Sequence, residues 1–185
     1  GLELGDSFWM ATDKDVPWIF SYYKPNSIEP GPQADLIRTY AHAGYLDAMH
    51  SYGDMAGPES FTRKTAEAAL AEMNRMQIAP AVFTDHGGAE NTNNIGRHWR
   101  GDDPFSAQHH SDLTMRPNGP FAFVADARYT WMIGSQPLEA VTLRDGVRAY
   151  AFQRYWNAME GWNVDRLQNQ LTPSHLDRLV ESESY

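Results

Sequence analysis

Between residues 18 and 84 the spacing of apolar residues switches repeatedly between the two-residue repeat of a strand and the longer repeat of a helix. Trp18-Ile19-Phe20-Ser21-Tyr22-Tyr23 is an aromatic, β-branched run closed by Lys24-Pro25-Asn26, which predicts a strand. Residues 33–43 carry Leu36, Ile37, Tyr40 and Ala41 on one side of a helix, with Gly44 in the stop position. Tyr45 to His50 is a second short strand, followed by a loop with Gly53, Gly57 and Pro58. The clearest helix runs from about Ser60 to Met76, with Ala66, Ala69, Leu70, Met73 and Met76 opposite Lys64, Glu67, Glu72 and Arg75. Ala79 to Thr84 is a third strand and runs into Asp85-His86-Gly87-Gly88. Such an alternation with short connectors predicts an α/β fold, because parallel strands need a crossover between them and a helix supplies it. In such folds the site lies at the C-terminal ends of the strands. The second predicted strand ends at His50 and the third runs into His86.

The second half is less regular. Glu90 to Arg100 is a polar, Asn-rich loop. Phe121–Val124 and Ala149–Tyr155 predict strands, and Glu139–Leu143 opens a hairpin around Asp145-Gly146. Val164, Leu167 and Leu171 mark a short helix, and Thr172-Pro173 opens a last one with an N-cap and an N1 proline. The 185 residues suit a single domain spanning 1–185.

Charge and residue types narrow the chemistry. A net charge of −9 and the lack of any basic run argue against nucleic acid, which needs clustered Lys and Arg. No stretch reaches the ~20 apolar residues of a membrane span, and no charged-then-apolar leader opens the sequence. With no cysteine there is neither a disulfide framework nor a thiolate site, which slightly favours the cytoplasm. Any metal must therefore be held by His, Asp or Glu, which favours Zn²⁺ or a similar divalent ion. Aromatic residues make up 12 %, and several, including Trp9 and Trp99, stand in polar surroundings. Such rings suit the C–H faces of a sugar, or else close the end of a core with one polar tip satisfied.

The strongest local signal is Ala48-Met49-His50-Ser51-Tyr52-Gly53-Asp54. An imidazole at a strand end and a carboxylate across a glycine turn can face one ion and leave positions open on it. The same spacing also arises from a surface His near an Asp. His86 precedes Gly87-Gly88, where backbone amides can approach an oxyanion, so it reads as a ligand, a general acid, or a loop His bonded to a carbonyl. Of the adjacent His109 and His110 at most one faces a site; His110 is preferred, with Asp112 as its orienting partner. Asn91, Asn93 and Asn94 either read sugar hydroxyls or satisfy turn geometry.

The string from Leu36 to Ser51, with its helix ending in Ala43-Gly44 and its strand delivering His50-Ser51, resembles the polysaccharide deacetylases of the nodulation-protein type. The helix leading through Ala66 to Met76 and the strand Ile78–Phe83 follow in the same order, so the resemblance covers roughly residues 16 to 90. It implies an irregular parallel (β/α) barrel and a divalent metal, Zn²⁺ first among them. His50 and Asp54 would be ligands, with His110 as a third, and His86 would protonate the departing amine. Where the family's motif closes with a second His, this chain has Asp54. Where the family opens with an aspartate pair, the only placeable substitute is Asp6, as a catalytic residue, a turn residue or a cap. The substrate implied is an N- or O-acylated carbohydrate lying on Trp9 and Trp99 and read by Asn91. The chain ends after a helix where such a fold expects another strand, so a piece lacking terminal strands is expected. Two rivals stand beside this reading: a barrel glycoside hydrolase using carboxyl pairs without metal, and a non-catalytic carbohydrate-binding domain of the same fold.

Overall fold

Short β-branched and aromatic segments separated by helical stretches can bury both faces of a sheet only if the strands run parallel and the connections lie across them. The computed structural model shows this arrangement; it describes residues 6–16, 19–55, 60–85, 91–96, 100–126 and 139–153. In chain order the elements are β1 (Asp6–Phe8), β2 (Ala11–Thr12), α1 (Ala34–His42), β3 (Leu46–Met49), β4 (Gly53–Asp54) and α2 (Arg63–Met76). Then come β5 (Val82–Thr84), α3 (Ser111–Thr114), β6 (Phe123–Asp126), β7 (Glu139–Thr142) and β8 (Arg148–Gln153).

Among the described residues the main sheet has six strands in the order β1-β3-β5-β6-β8-β7. All neighbours are parallel except β7 and β8, which form the antiparallel hairpin expected around Asp145-Gly146. Among the described residues β1 and β7 are the outer strands. A two-stranded parallel pair, β2 with β4, sits beyond the C-terminal ends of β1 and β3. The α/β class and the parallel sheet are therefore as expected.

The helices bury narrower stripes than their sequences offer. In α1, Ile37 and Ala34 are buried, whereas Leu36 and Tyr40 are 44 % and 40 % exposed. A helix covering one layer turns only part of its circumference inward, so the expected four-residue face splits in two. In α2 the expected stripe is buried at Ala66, Ala69, Met73 and Met76, while Leu70 is half-buried. Thr62, extended, precedes its first turn, and Gln77 closes it in the left-handed conformation at φ 57°, with Ile78 N–H donating back to Met73 O at 3.1 Å.

The run around residues 18–23 forms no strand of either sheet over its described residues 19–23; Pro17 and Trp18 lie outside the described residues. It makes isolated pairings with the chain leaving β1: Trp9 N–H donates to Phe20 O (3.0 Å) and Tyr22 N–H to Trp9 O (2.8 Å). Tyr22 and Tyr23 are buried all the same. The Tyr22 hydroxyl donates to Glu72 Oε1 at 2.6 Å, and Arg75 holds the same carboxylate at 2.6 and 2.7 Å. Those Arg75 hydrogen bonds push the Glu72 carboxyl down to about 2. The aromatic composition reported burial correctly, but ladder membership is a separate property. The strand that actually opens the sheet, β1, has only three residues. The helices predicted beyond residue 160 lie outside the described residues.

The split faces are testable by urea unfolding. Met73→Ala is expected to cost about 2–5 kcal/mol, the usual range for emptying a buried methionine site. Leu36→Ala is expected to stay within about 0.5 kcal/mol of the parent, as surface changes do.

Candidate functional site

Parallel strands deliver their C-terminal residues to one edge. The register pairs Phe8 with Met49 and Met49 with Phe83, so the chain leaves β1, β3 and β5 at neighbouring points as Trp9, His50 and then Asp85. His50 is half-buried, and its backbone N–H donates to Phe8 O at 2.8 Å. Its Nδ1 lies 2.9 Å from Ser7 Oγ, and the Trp9 ring stands edge-on to it, 5.5 Å between centroids at 79°. Trp9, expected as a sugar platform, is half-buried and buttresses the imidazole. Asp85, given no role from the sequence, is 2 % exposed and accepts Ile95 N–H on Oδ1 at 2.9 Å.

After His50 the chain turns sharply. Ser51 adopts a left-handed conformation at φ 56°, and Gly53 then enters β4 against Ala11. A Cβ on Gly53 would stand 2.4 Å from Ala11 O, so only glycine permits this approach. Asp54 follows, in register with Thr12. The side chains of Asp54 and Asp6, and all of His86 and Trp99, lie outside the described residues.

The turn is held by asparagine side chains. Asn93 Oδ1 accepts Tyr52 N–H at 3.1 Å while its Nδ2 donates to Gly53 O at 2.9 Å, so one amide stands in for the peptide of a neighbouring strand. Its Nδ2 also donates to Asn91 Oδ1 at 2.6 Å, and Asn91 Nδ2 reaches Ser51 Oγ at 3.5 Å and Asn94 Oδ1 at 3.4 Å. Asn91, Asn93 and Asn94 are buried. The expected sugar-reading role of Asn91 is corrected accordingly: its amide is spent on the protein and is shut off from solvent. A buried amide costs about 1–3 kcal/mol when it loses a partner, which explains why three asparagines lie together here.

The expectation for His110 is also corrected. It is fully buried, edge-on to Tyr52 at 4.9 Å and to Phe61 at 5.4 Å, with Phe83 at 5.8 Å. Its Nε2 donates to Asn93 O at 2.7 Å, which makes Nδ1 of the neutral ring the acceptor for Thr114 Oγ1–H at 2.8 Å. Tyr52 OH then donates to Thr114 Oγ1 at 2.7 Å. Both ring nitrogens are occupied, so this geometry offers no ligand. Asp112 does not orient His110 either. Both of its oxygens take hydrogen bonds from Arg63, at 2.6 and 2.9 Å, and these hold its carboxyl below the usual range.

The neighbouring His109, passed over in the sequence, meets carboxylates. Its Nε2 lies 2.9 Å from Asp145 Oδ2 and 3.7 Å from Asp112 Oδ1, and ligand atoms of the three residues fall within 4.8 Å of one another. By donor type the group can hold a divalent ion. Arg63 already neutralises Asp112, and Ser111 Oγ and Val147 N–H both donate to Asp145. The group thereby ties the β7–β8 hairpin to α3 and α2. Only the i, i+3 spacing of His109 and Asp112 was available in the sequence, because Asp145 arrives from a hairpin more than thirty residues away.

Compared with protein-family models, with curated proteins and with solved structures, the chain has no match in any of the three. Among the described residues no helix is long and apolar enough to cross a membrane.

Burial pushes the His110 imidazole down to about 4 from an ordinary 6.5. The unfolded chain therefore binds the proton first, and stability is lost as pH falls from about 6.5 toward 4. At about 1.4 kcal/mol per unit the loss is on the order of 3 kcal/mol. Urea midpoints measured across that window are expected to fall with acid in the parent chain. In His110→Gln the slope should be much shallower, whatever the starting stability of the variant.

Proposed function

We propose that this chain is a metal-dependent hydrolase of an acylated carbohydrate, of the polysaccharide deacetylase kind, working at the C-terminal edge of its parallel sheet. The irregular (β/α) barrel of that family belongs to the same proposal. The observation that carries it is the setting of His50: a half-buried imidazole at the end of a parallel strand, its Nδ1 held by a neighbouring hydroxyl. Metal-ligating histidines are characteristically anchored through the nitrogen that does not ligate.

The donor set fits a divalent ion in part. His50 supplies an imidazole whose ligating atom would be Nε2, since Ser7 holds Nδ1. Asp54 would supply the carboxylate, from the strand that begins directly after the Ser51–Tyr52 turn. His110 does not fit, for the reasons given above. A bound divalent cation supplies Lewis-acid polarisation of an acyl oxygen and favours the charge that develops on it. The rest falls to the chain. Trp9 restrains the His50 ring and limits water on that side. The asparagine-held turn fixes where residue 54 begins relative to residue 50. His86 is proposed to protonate the departing amine and Asp6 to act as base, with Trp9 and Trp99 flanking the sugar.

The test is metal content together with deacylation. Purified protein is expected to hold stoichiometric Zn²⁺ and to release acetate from N- or O-acetylated oligosaccharides. Losing an outer-shell partner typically costs about 10–100-fold in metal affinity, so His50→Ala and Asp54→Ala are expected to exceed that. Full zinc occupancy in both variants would overturn the site. Acetate release that survives chelation would favour a metal-free hydrolase.

A further inference from the structure

A neutral imidazole carries one proton, and which ring nitrogen holds it decides what the ring can do. With the proton on Nε2, that nitrogen of His50 is a donor and repels a cation. With the proton on Nδ1, it is Nε2 that carries the acceptor lone pair. We propose that Ser7 is a positioning residue: its Oγ accepts the Nδ1–H of His50 and holds the ring in the tautomer that presents the Nε2 lone pair to a divalent cation. This rests on the hydrolase reading of the same site.

Four observations carry the assignment. The Oγ–Nδ1 separation is 2.9 Å, a full hydrogen bond between residues 43 apart in sequence. The two backbones are already tied, because His50 N–H donates to Phe8 O at 2.8 Å, one residue beyond Ser7. Little entropy is therefore left to lose when the side chains meet. The β1–β3 register also slips between Asp6 and Ser7: Asp6 faces Leu46, but Ser7 faces Ala48. One residue of β3, Asp47, is left over. Irregularities of this kind re-aim side chains beside sites, and this one brings the β1 hydroxyl level with the end of β3. The Trp9 ring, edge-on at 79°, closes the other side of the imidazole and restrains it from turning over.

The experiment reads the tautomer directly. Long-range ¹H–¹⁵N spectra of the metal-free, ¹⁵N-labelled chain, taken above the titration of the ring, distinguish a protonated from an unprotonated nitrogen. The His50 signals are identified by their loss in His50→Gln. The parent chain is expected to carry its proton on Nδ1, and Ser7→Thr to keep it there. Ser7→Ala should shift the ring toward Nε2–H and weaken Zn²⁺ binding by about 10–100-fold, with Ser7→Thr restoring it. An Nε2–H ring in the parent, or a Ser7→Ala ring and Zn²⁺ affinity unchanged from it, overturns the assignment. The hydrolase reading fails separately: if His50→Gln binds Zn²⁺ as well as the parent while the Nδ1–H tautomer still depends on Ser7, the positioning role stands without the metal site.

Discussion

The backbone pairing of β1 with β3 is the constraint on which the rest of this structure depends. It is short, three residues against four, yet it fixes where the chain leaves both strands. From it follow the His50–Phe8 backbone hydrogen bond, the meeting of Ser7 and His50, and the placement of Trp9 against the imidazole. Parallel pairing is what makes this possible. In an antiparallel pair the ends of β1 and β3 would lie at opposite edges, and no neighbouring hydroxyl would reach the ring.

Around that edge the protein spends buried polar groups rather than apolar ones. Asn93 satisfies the Tyr52 N–H and, with the Ser51 hydroxyl, the Gly53 carbonyl, and its own carbonyl accepts from His110. His110 in turn passes the chain of hydrogen bonds to Thr114 and Tyr52, inside a shell of aromatic rings. Each link is worth only about 0.5–1.5 kcal/mol net, but breaking one strands a buried partner at greater cost. The network therefore acts as a single unit that specifies the turn after β3. A second anchor lies in the same long crossover after β5. Buried Asp102 accepts from Gly96 N–H and from Arg144, whose Nη2 lies 2.7 Å away.

Periodicity made most of the first half legible. Helices over 34–42 and 63–76 and strands over 46–49 and 82–84 lie where apolar spacing and stop residues put them. The strand expected over 18–23 shows the limit of that signal. A run of aromatic residues reports that a segment is buried, which Tyr22 and Tyr23 are, without saying what it pairs with. The opening strand was missed because Asp6-Ser7-Phe8 is too short to show a period. For the candidate site, His50 was legible from its position at a strand end. The roles of Asn91 and His110 were not. Asn in a loop and His beside His look the same whether they face solvent or the core, and the difference lies in partners far along the chain.

What the sequence by itself determined is the order of elements, the parallel character of the sheet and the edge where His50 emerges. These follow from local spacing and from the geometric need for crossovers. Only the tertiary structure decided which polar side chains are spent on the fold. Ser7 meets His50 from 43 residues away, Asn93 meets Gly53 from 40, and His109 meets Asp145 from 36. Whether an imidazole or an amide is buried and satisfied depends on what folds over it, and no local pattern encodes that.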